Sequence, residues 1–365
     1  GSWGQLGNQS SVPVTNGFTS FASNRQSSWY DVFGSQNSPQ EGFYLSFLGN
    51  QQGQWETNTT TNIGFDATLF KGSTTVVFDW YHKATEGLLY NPEQQAIAGW
   101  AAGQASRNVG SMKNSGIDLA INNTHAFSKD FTLNTGLTFT TYSNEITGIA
   151  PGLSFFDFNS GANEANRIGQ NATRNIVGQP LNTYFGYKVL GIFQSAADVL
   201  KAPVQTEAAP GHFQYADING DGAITSDDRT VIGDPNPDFT YGINLGSGYK
   251  AFDISAFFYG VAGKESFNFT RWWTDFTPGG FPGGRSKDAL YNSWLADGSR
   301  PNATTPMAEV SAGTGFSTFN QVNSYYVEKS GYFRLRSLEI GYTLPVNISK
   351  KAKLSSVRIY LQGTN

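Results

Sequence analysis

The sequence predicts an all-β fold, a transmembrane antiparallel β-barrel with long extracellular loops, and three observations predict it. The first is dyad alternation. Phe131, Leu133, Leu137 and Phe139 share one face of a strand whose other face carries Thr132, Asn134, Gly136, Thr138 and Thr140. Because strand side chains point alternately to opposite faces, such a segment meets two different solvents. The pattern recurs with Ile63, Phe65, Ala67 and Leu69 against Asn62, Gly64, Asp66 and Thr68, and with Phe239, Tyr241, Ile243 and Leu245 against Thr240, Gly242, Asn244 and Gly246. The second observation is that tight turns alternate with long, Gly-rich excursions. The third is that aromatic residues collect near strand ends.

Composition supports a folded β protein. Hydrophobic residues make up 38% and charged residues 14%, too apolar for a disordered chain. Aromatics reach 15%, and 42 glycines accompany them, a mixture that suits strands and turns better than helices. Lys and Arg number 24 against 28 acids, and the net charge of -4 offers no basic field for nucleic acid. The absence of cysteine excludes disulfides, thiolate chemistry and cysteine-ligated zinc, and fits an exported or a cytosolic protein. No run of about 18 apolar residues is present, so no membrane-spanning helix is expected, whereas transmembrane strands need only about 9 to 11 alternating residues. The chain opens Gly1-Ser2-Trp3-Gly4-Gln5, without the charged and apolar regions of a signal peptide, and its start is expected to lie inside a longer protein.

The elements follow in order. Strand 62 to 70 turns at Lys71-Gly72-Ser73 into strand 74 to 82; strand 115 to 122 passes Ser128-Lys129-Asp130 into 131 to 141; strand 237 to 248 turns at Tyr249-Lys250 into 251 to 260. Excursions at 84 to 113, 143 to 182, 193 to 236 and 261 to 322 exceed the ordinary connections of a compact domain. Short turns at one end and long loops at the other suit an outer-membrane barrel more than a soluble sandwich. Trp80 with Tyr81, Tyr142, Tyr241, Tyr249, Phe258 with Tyr259, Tyr332 with Phe333, and Tyr342 stand where aromatic girdles would lie at the two bilayer interfaces. The alternative places them in a sandwich core.

These residues resemble a known family. Trp55-Glu56-Thr57-Asn58-Thr59-Thr60-Thr61-Asn62-Ile63-Gly64, then Phe78-Asp79-Trp80-Tyr81-His82-Lys83-Ala84-Thr85 and Asn108-Val109-Gly110-Ser111-Met112-Lys113-Asn114-Ser115-Gly116-Ile117-Asp118-Leu119, look like the barrel of SusC/RagA-type TonB-dependent transporters. Gly178-Gln179-Pro180, Gly186-Tyr187-Lys188-Val189-Leu190-Gly191-Ile192-Phe193-Gln194, the acidic loop at Asp217, and Phe333-Arg334-Leu335-Arg336-Ser337-Leu338-Glu339-Ile340-Gly341-Tyr342-Thr343-Leu344-Pro345 follow in the same order. The opening Ser2-Trp3-Gly4-Gln5-Leu6-Gly7-Asn8-Gln9 resembles a strand and turn from the middle of such a barrel.

The resemblance implies a plugged barrel in the outer membrane of a Gram-negative bacterium, importing oligosaccharides or peptides too large for porins. It further implies a SusD-like surface lipoprotein as lid and the TonB complex as motor. About ten strands are readable here against about 22 in transporters of this kind. The plug, the TonB-contacting box and a final aromatic-terminated strand are not among these residues. Residues 1-365 are therefore expected to be the C-terminal portion of the barrel, with 193-236 and 261-322 as long extracellular loops and the TonB contact in a missing N-terminal region. Ten strands with open edges cannot stand in lipid alone, because unpaired edge groups there go unsatisfied.

The sharpest local motif is Asp217-Ile218-Asn219-Gly220-Asp221-Gly222-Ala223-Ile224-Thr225-Ser226-Asp227-Asp228. Oxygen-bearing side chains at positions 1, 3 and 5, Gly at 6 and a carboxylate at 12 match a calcium loop of EF-hand type. Asp217, Asn219 and Asp221 would give side-chain oxygens, Ala223 its carbonyl, Thr225 a direct or water-mediated contact and Asp228 the closing carboxylate. Aspartate at position 12 reaches less far than the usual glutamate, and a solvated acidic turn is the alternative. The ion, Ca2+, would be structural. A second constellation lies in 261 to 322, where Arg271, Trp272, Trp273, Thr274, Asp275, Phe276, Phe281, Tyr291, Trp294 and Asp297 combine ring faces with polar groups that could hold a sugar. The alternative is that these rings pack the loop on its neighbours or on the lid lipoprotein.

No enzyme is expected. His82, His125 and His212 are far apart, and neither H-E-x-x-H nor G-x-S-x-G occurs. Gly279-Gly280-Phe281-Pro282-Gly283-Gly284 lacks the Lys-Ser/Thr of a phosphate loop. Two other classes of function remain beside transport. A soluble calcium-dependent carbohydrate-binding or scaffold module would need the apolar faces of 62 to 70 and 131 to 141 buried in a sandwich. An outer-membrane phospholipase or protease would need His82 or His125 beside a serine and an acid.

Overall fold

Alternation builds one sheet. The computed structural model describes residues 1–365 except 10–11, 27, 32–33, 35–38, 91–102, 158–167, 169–170, 277–282, 310–312 and 352. Its main sheet has nine strands: β1 (Ser2–Asn8), β2 (Glu56–Leu69), β3 (Thr74–Tyr90), β4 (Arg107–Ser128), β5 (Phe131–Ile149), β6 (Phe239–Tyr249), β7 (Phe252–Ala262), β8 (Tyr332–Thr343) and β9 (Arg358–Thr364). Each pairs antiparallel with the next in sequence, so the sheet is a meander of nine strands rather than about ten. The outer edges of β1 and β9 have no strand partner among the described residues.

Connections sort by length. At one end lie 70–73, 129–130, 250–251 and 344–357, and at the other 9–55, 91–106, 150–238 and 263–331. The three tight hairpins fall where the sequence predicts them. The excursions expected at 84 to 113 and 143 to 182 are shorter, because β3 runs to Tyr90, β4 begins at Arg107 and β5 runs to Ile149. There the alternation fades although the ladder continues: Lys113 of β4 pairs with Glu145 of β5 at 2.9 Å on the face that is apolar lower down.

Register aligns the apolar face into rows. Phe65, Phe78, Leu119, Phe139, Tyr241 and Phe333 lie in one row, with Gly260 between the last two. The Tyr241 ring lies across Gly260, and a Cβ there would strike it. The row nearest the short turns is Phe131, Tyr249, Phe252, Tyr342 and Ile359, with Phe252 and Tyr342 rings 4.7 Å apart. From that row at Phe131 to the uppermost apolar row at Thr141 are ten steps of about 3.3 Å, about 33 Å of strand. Tilted by about 40°, this spans about 25 Å, the height of an outer-membrane apolar band.

Among the described residues no layer covers this face. Ile63 is 58% exposed, Phe65 57% and Leu137 39%, so the sandwich needed by the soluble alternative is not formed. The opposite face is polar: Thr140 donates to Asp118 at 2.7 Å, and Arg358 bridges Asp253 and Glu339 over Gly341, where a Cβ would meet the guanidinium. Not all the expected girdle aromatics look outward. Tyr81, Tyr142, Tyr259 and Tyr332 stand on the polar face, because register pairs Tyr81 with Asn62 and Gly116, and Tyr259 with Arg334. A Cβ at Gly116 would lie 2.5 Å from the Tyr81 hydroxyl, so glycine leaves room for that ring.

The two longest loops share a core. Tyr187, Phe213 and Tyr215 from 150–238 pack with Trp272, Phe276, Val322 and Tyr326 from 263–331, and burying each ring contributes about 1.5–3 kcal/mol. Backbone bonds tie the loops together: Tyr187 N–H donates to the Val322 carbonyl at 2.9 Å and Phe213 N–H to Ser317 at 2.8 Å. The Gln205 amide donates to the Ser317 hydroxyl at 2.8 Å. Asp275 is the polar knot, 3% exposed. It accepts hydrogen bonds from Tyr325 Oη at 2.7 Å, from Arg271 Nε at 2.9 Å and from the Ser286 hydroxyl. Burial alone would raise its pKa, but the bonds from Ser286, Tyr325 and Arg271 outweigh burial and hold it below the ordinary aspartate range.

Two outcomes follow. Leu137→Arg, at mid-height of the apolar face, should cost about 2–4 kcal/mol of folding free energy in bilayer vesicles, whereas Asn244→Arg on the polar face should cost far less; equal losses in heat-modifiability assays would contradict the assignment of faces. Asp275→Ala should destabilise the loop core by about 2–3 kcal/mol, read as loop proteolysis with the strand wall intact. Because the folded pKa of Asp275 is depressed, its contribution is full above the unfolded value of about 3.9 and fades as pH falls below it. Loop protease resistance in the wild type should therefore be level from pH 7 to 5 and drop below about pH 4.

Candidate functional site

The chemistry-bearing residues gather in the long loops. The acidic segment leaves the core at Phe213–Tyr215 and re-enters it through Ile224, 6% exposed. Ile224 N–H donates to the Val204 carbonyl at 2.7 Å. Between them Gly220 and Gly222 take φ of 76° and 85°, the left-handed region where glycine avoids strain. Asp217 accepts from Gly220 N–H at 2.6 Å and from Gly222 N–H at 2.9 Å, and Asp221 accepts from Ala223 N–H at 2.8 Å. Asp228 is fully buried and accepts from Ile218 N–H at 2.8 Å and Thr225 N–H at 2.7 Å, closing the loop on itself. Burial would raise the Asp228 pKa, but these amide bonds prevail and hold it low.

This geometry bears on calcium in two ways. Each carboxylate oxygen carries two lone pairs, and one amide bond leaves the other able to meet a hard cation. However, among the described residues no three acidic or histidine side chains converge on a common point. Asn219, Ala223 and Thr225 lie on the same turn, Asn219 donating to Asp221 at 2.9 Å and Thr225 accepting from Asp227 N–H at 3.2 Å.

The aromatic set divides. Short helices Thr270–Asp275 and Lys287–Tyr291 carry most of it. Trp272 and Phe276 are 3% and 4% exposed and belong to the core, with Trp294 half-buried against it. Trp273 and Tyr291 are 42% and 64% exposed, with Trp273 edge-on to Trp272 at 4.8 Å. Phe281 lies outside the described residues. The Arg271 guanidinium sits 3.9 Å from the Tyr325 ring centre while bonding Asp275, so it supports the fold. Asp297 accepts from Ser299 N–H at 2.9 Å in a local turn.

One arrangement escaped the sequence. The Arg174 guanidinium lies over the rings of Phe155 and Phe185, 3.7 and 4.6 Å from their centres, and the Arg229 guanidinium is 5.3 Å from the centre of Phe185. Asp157 sits 3.6 Å from Arg174 Nε. These residues come from separate segments, and the Phe156–Asn175 bridge, the pairing of Thr173–Arg174 with Thr183–Gly186 and the pairing of that strand with Thr230–Gly233 unite them. The hydrolase constellation is incomplete: His82 Nδ1 is 2.8 Å from Ser115 Oγ, but among the described residues no carboxylate bonds the ring, and His125 packs edge-on against Phe127 at 4.4 Å. His212 is held by the Glu207 carbonyl at 2.6 Å and Glu309 at 2.9 Å, inside the loop fold.

Comparison with known proteins gives one consistent likeness. No family model matches the chain. It is 29% identical over its whole length to TonB-dependent receptor P3 of Formosa agariphila, spanning 34% of that protein. Over 56% of the chain it is 28% identical to the TonB-dependent receptor SusC of Bacteroides thetaiotaomicron, matching 19% of it. The solved RagAB peptide transporter superposes on the whole chain with a TM-score of 0.77 at 23% identity, over 36% of its own chain, and so shares the fold. The chain thus spans from about a fifth to about a third of the proteins it matches, and these are receptors and transporters rather than enzymes. Along its whole length the chain is similar to a C-terminal stretch of the barrel of SusC/RagA-type TonB-dependent receptors, outer-membrane proteins of Gram-negative bacteria.

Proposed function

We propose that this chain supplies wall and extracellular loops to an importer that takes up oligosaccharides or peptides across the outer membrane with energy from the TonB complex. One observation carries the reading: a nine-stranded meander exposes a band of apolar side chains on one face and carries hydroxyls, amides and charges on the other, with every long loop at one end. An uncovered apolar band of that height suits lipid, and the polar face suits a hydrated lumen. A SusD-like lipoprotein is the proposed partner at the loop end. Trp273 and Tyr291 are the proposed contacts for substrate or lid, because 42% and 64% of their surfaces stay exposed beside the loop core.

The 217–228 loop is proposed to take one Ca2+ in a structural role. Ligand spacing and the lone pairs that single amide bonds leave on Asp217 and Asp221 support this, with Asp228 closing the loop behind them.

The full-length protein should fractionate with the outer membrane, migrate in a heat-modifiable form and co-purify with a surface lipoprotein encoded beside it. Recovery of a soluble, secreted protein would sink the transport reading. For the loop, millimolar Ca2+ should raise the melting temperature of the loop core relative to chelator, in the affinity range of about 10⁻⁴–10⁻³ M seen for extracellular modules. Asp221→Ala should abolish that increment while leaving the strand wall unchanged; identical melting with and without Ca2+ would dismiss the ion.

A further inference from the structure

The four short connections share a chemistry that the transport reading does not use. They are 70–73, 129–130, 250–251 and 344–357, and they hold Lys71, Lys129, Lys250, Lys350, Lys351 and Lys353 against a single acid, Asp130. The whole chain has 24 Lys and Arg in 365 residues and a net charge of -4, so this rim runs opposite in sign to the rest. All six lysines are exposed, and none forms an ion pair among the described residues. Three of them, Lys71, Lys250 and Lys353, have φ of 58°, 54° and 58°. Glycine or asparagine would occupy those left-handed turn positions with less strain, yet each carries an ammonium.

Position supplies the second argument. Lys129 and Lys250 sit in the turns next to Phe131, Tyr249 and Phe252 of the row that ends the apolar band, Lys71 lies in the turn between Leu69 and Thr74, and Lys350, Lys351 and Lys353 lie in the connection between Tyr342 and Ile359. Exposed Phe70, Val346, Ile348 and Leu354 stand among them, and the Lys250 ammonium lies 5.3 Å from the Tyr249 ring centre. Apolar side chains interleaved with flexible cations at the edge of a membrane-height band is the pattern of an interfacial anchor. Spread over four connections along one edge of the sheet, the cations suit a plane of phosphodiesters better than one small anion.

We propose that the short-turn rim binds anionic phospholipid headgroups of the leaflet facing the periplasm, with the six lysines as phosphate contacts and Phe70, Tyr249, Val346, Ile348 and Leu354 seated among the upper acyl carbons. The proposal rests on the outer-membrane reading. It fixes the vertical position of the sheet in the bilayer and makes lipid charge a determinant of its seating.

The test uses the intact full-length receptor in mixed micelles containing phosphatidylglycerol or, at equal mole fraction, phosphatidylcholine, with retained lipid counted after delipidation by native mass spectrometry. Wild type should retain phosphatidylglycerol preferentially. Each lysine removed should weaken that retention by about fivefold at low salt, and the combined variant K71Q/K129Q/K250Q/K350Q/K351Q/K353Q should show no preference. The matching six-arginine variant should restore it. Retention of phosphatidylglycerol by the glutamine variant at the wild-type level would overturn the proposal, as would its displacement by soluble glycerol phosphate. Unchanged lipid retention with lost TonB-dependent uptake would also overturn it and make the rim a protein-docking surface. Heat-modifiable migration of each sample separates this failure from failure of the barrel reading: an intact barrel without lipid preference defeats only the lipid proposal.

Discussion

A peptide group in hydrocarbon finds no water, so its N–H and C=O must be satisfied by neighbouring backbone. That constraint organises this chain. Each strand of the wall must lie against the next where it meets lipid, which is why the ladder from β2 through β8 runs through residues as different as Asn62, Trp80 and Gly116 and absorbs bulges at Ala126/Ser128 and Phe257/Phe258. Side-chain chemistry is then free to serve two solvents. The outward rows carry Phe, Leu and Ile, and the inward rows carry Thr, Asn, Asp and Gly, because a one-residue register slip would exchange them and place Asp79 and Asp118 in lipid.

Above the band the physics reverses. Water competes for every hydrogen bond, and the loops hold their shape by burying aromatic rings in a core of their own. Tyr187, Phe213, Trp272 and Tyr326 do for the cap what a soluble domain's interior would do. Asp275 and Asp228 act as polar knots within it, each a buried carboxylate satisfied by several donors. A chain with an uncovered apolar surface and a conventional core therefore contains both arrangements without contradiction.

How much was legible in the sequence follows from the same division. Where one face meets lipid, alternation is strict, and Phe131 to Thr141 announces its strand, its faces and its hairpin. Where both faces meet water, the ladder persists without a pattern, so the upper halves of β3, β4 and β5 read as loop. Parity within a strand is readable, but adjacent aromatics such as Trp80 and Tyr81 look alike until register assigns them to opposite faces. The aromatic cluster at Arg271 to Trp294 was visible as composition, while the division between buried Trp272 and exposed Trp273 depends on packing across two loops. The stack of Phe155, Arg174, Phe185 and Arg229 left no local signal, since its members meet only through long-range strand pairing.

The joint core of the two longest loops has a mechanical corollary. Segment 150–238 is rooted at the ends of β5 and β6, and segment 263–331 at the ends of β7 and β8. Fused by Tyr187 with Val322 and Phe213 with Ser317, they form a keystone clamped at four points on the rim. A pull on any part of that block is shared among four strands as a torque on the wall rather than spent in one flexing hairpin.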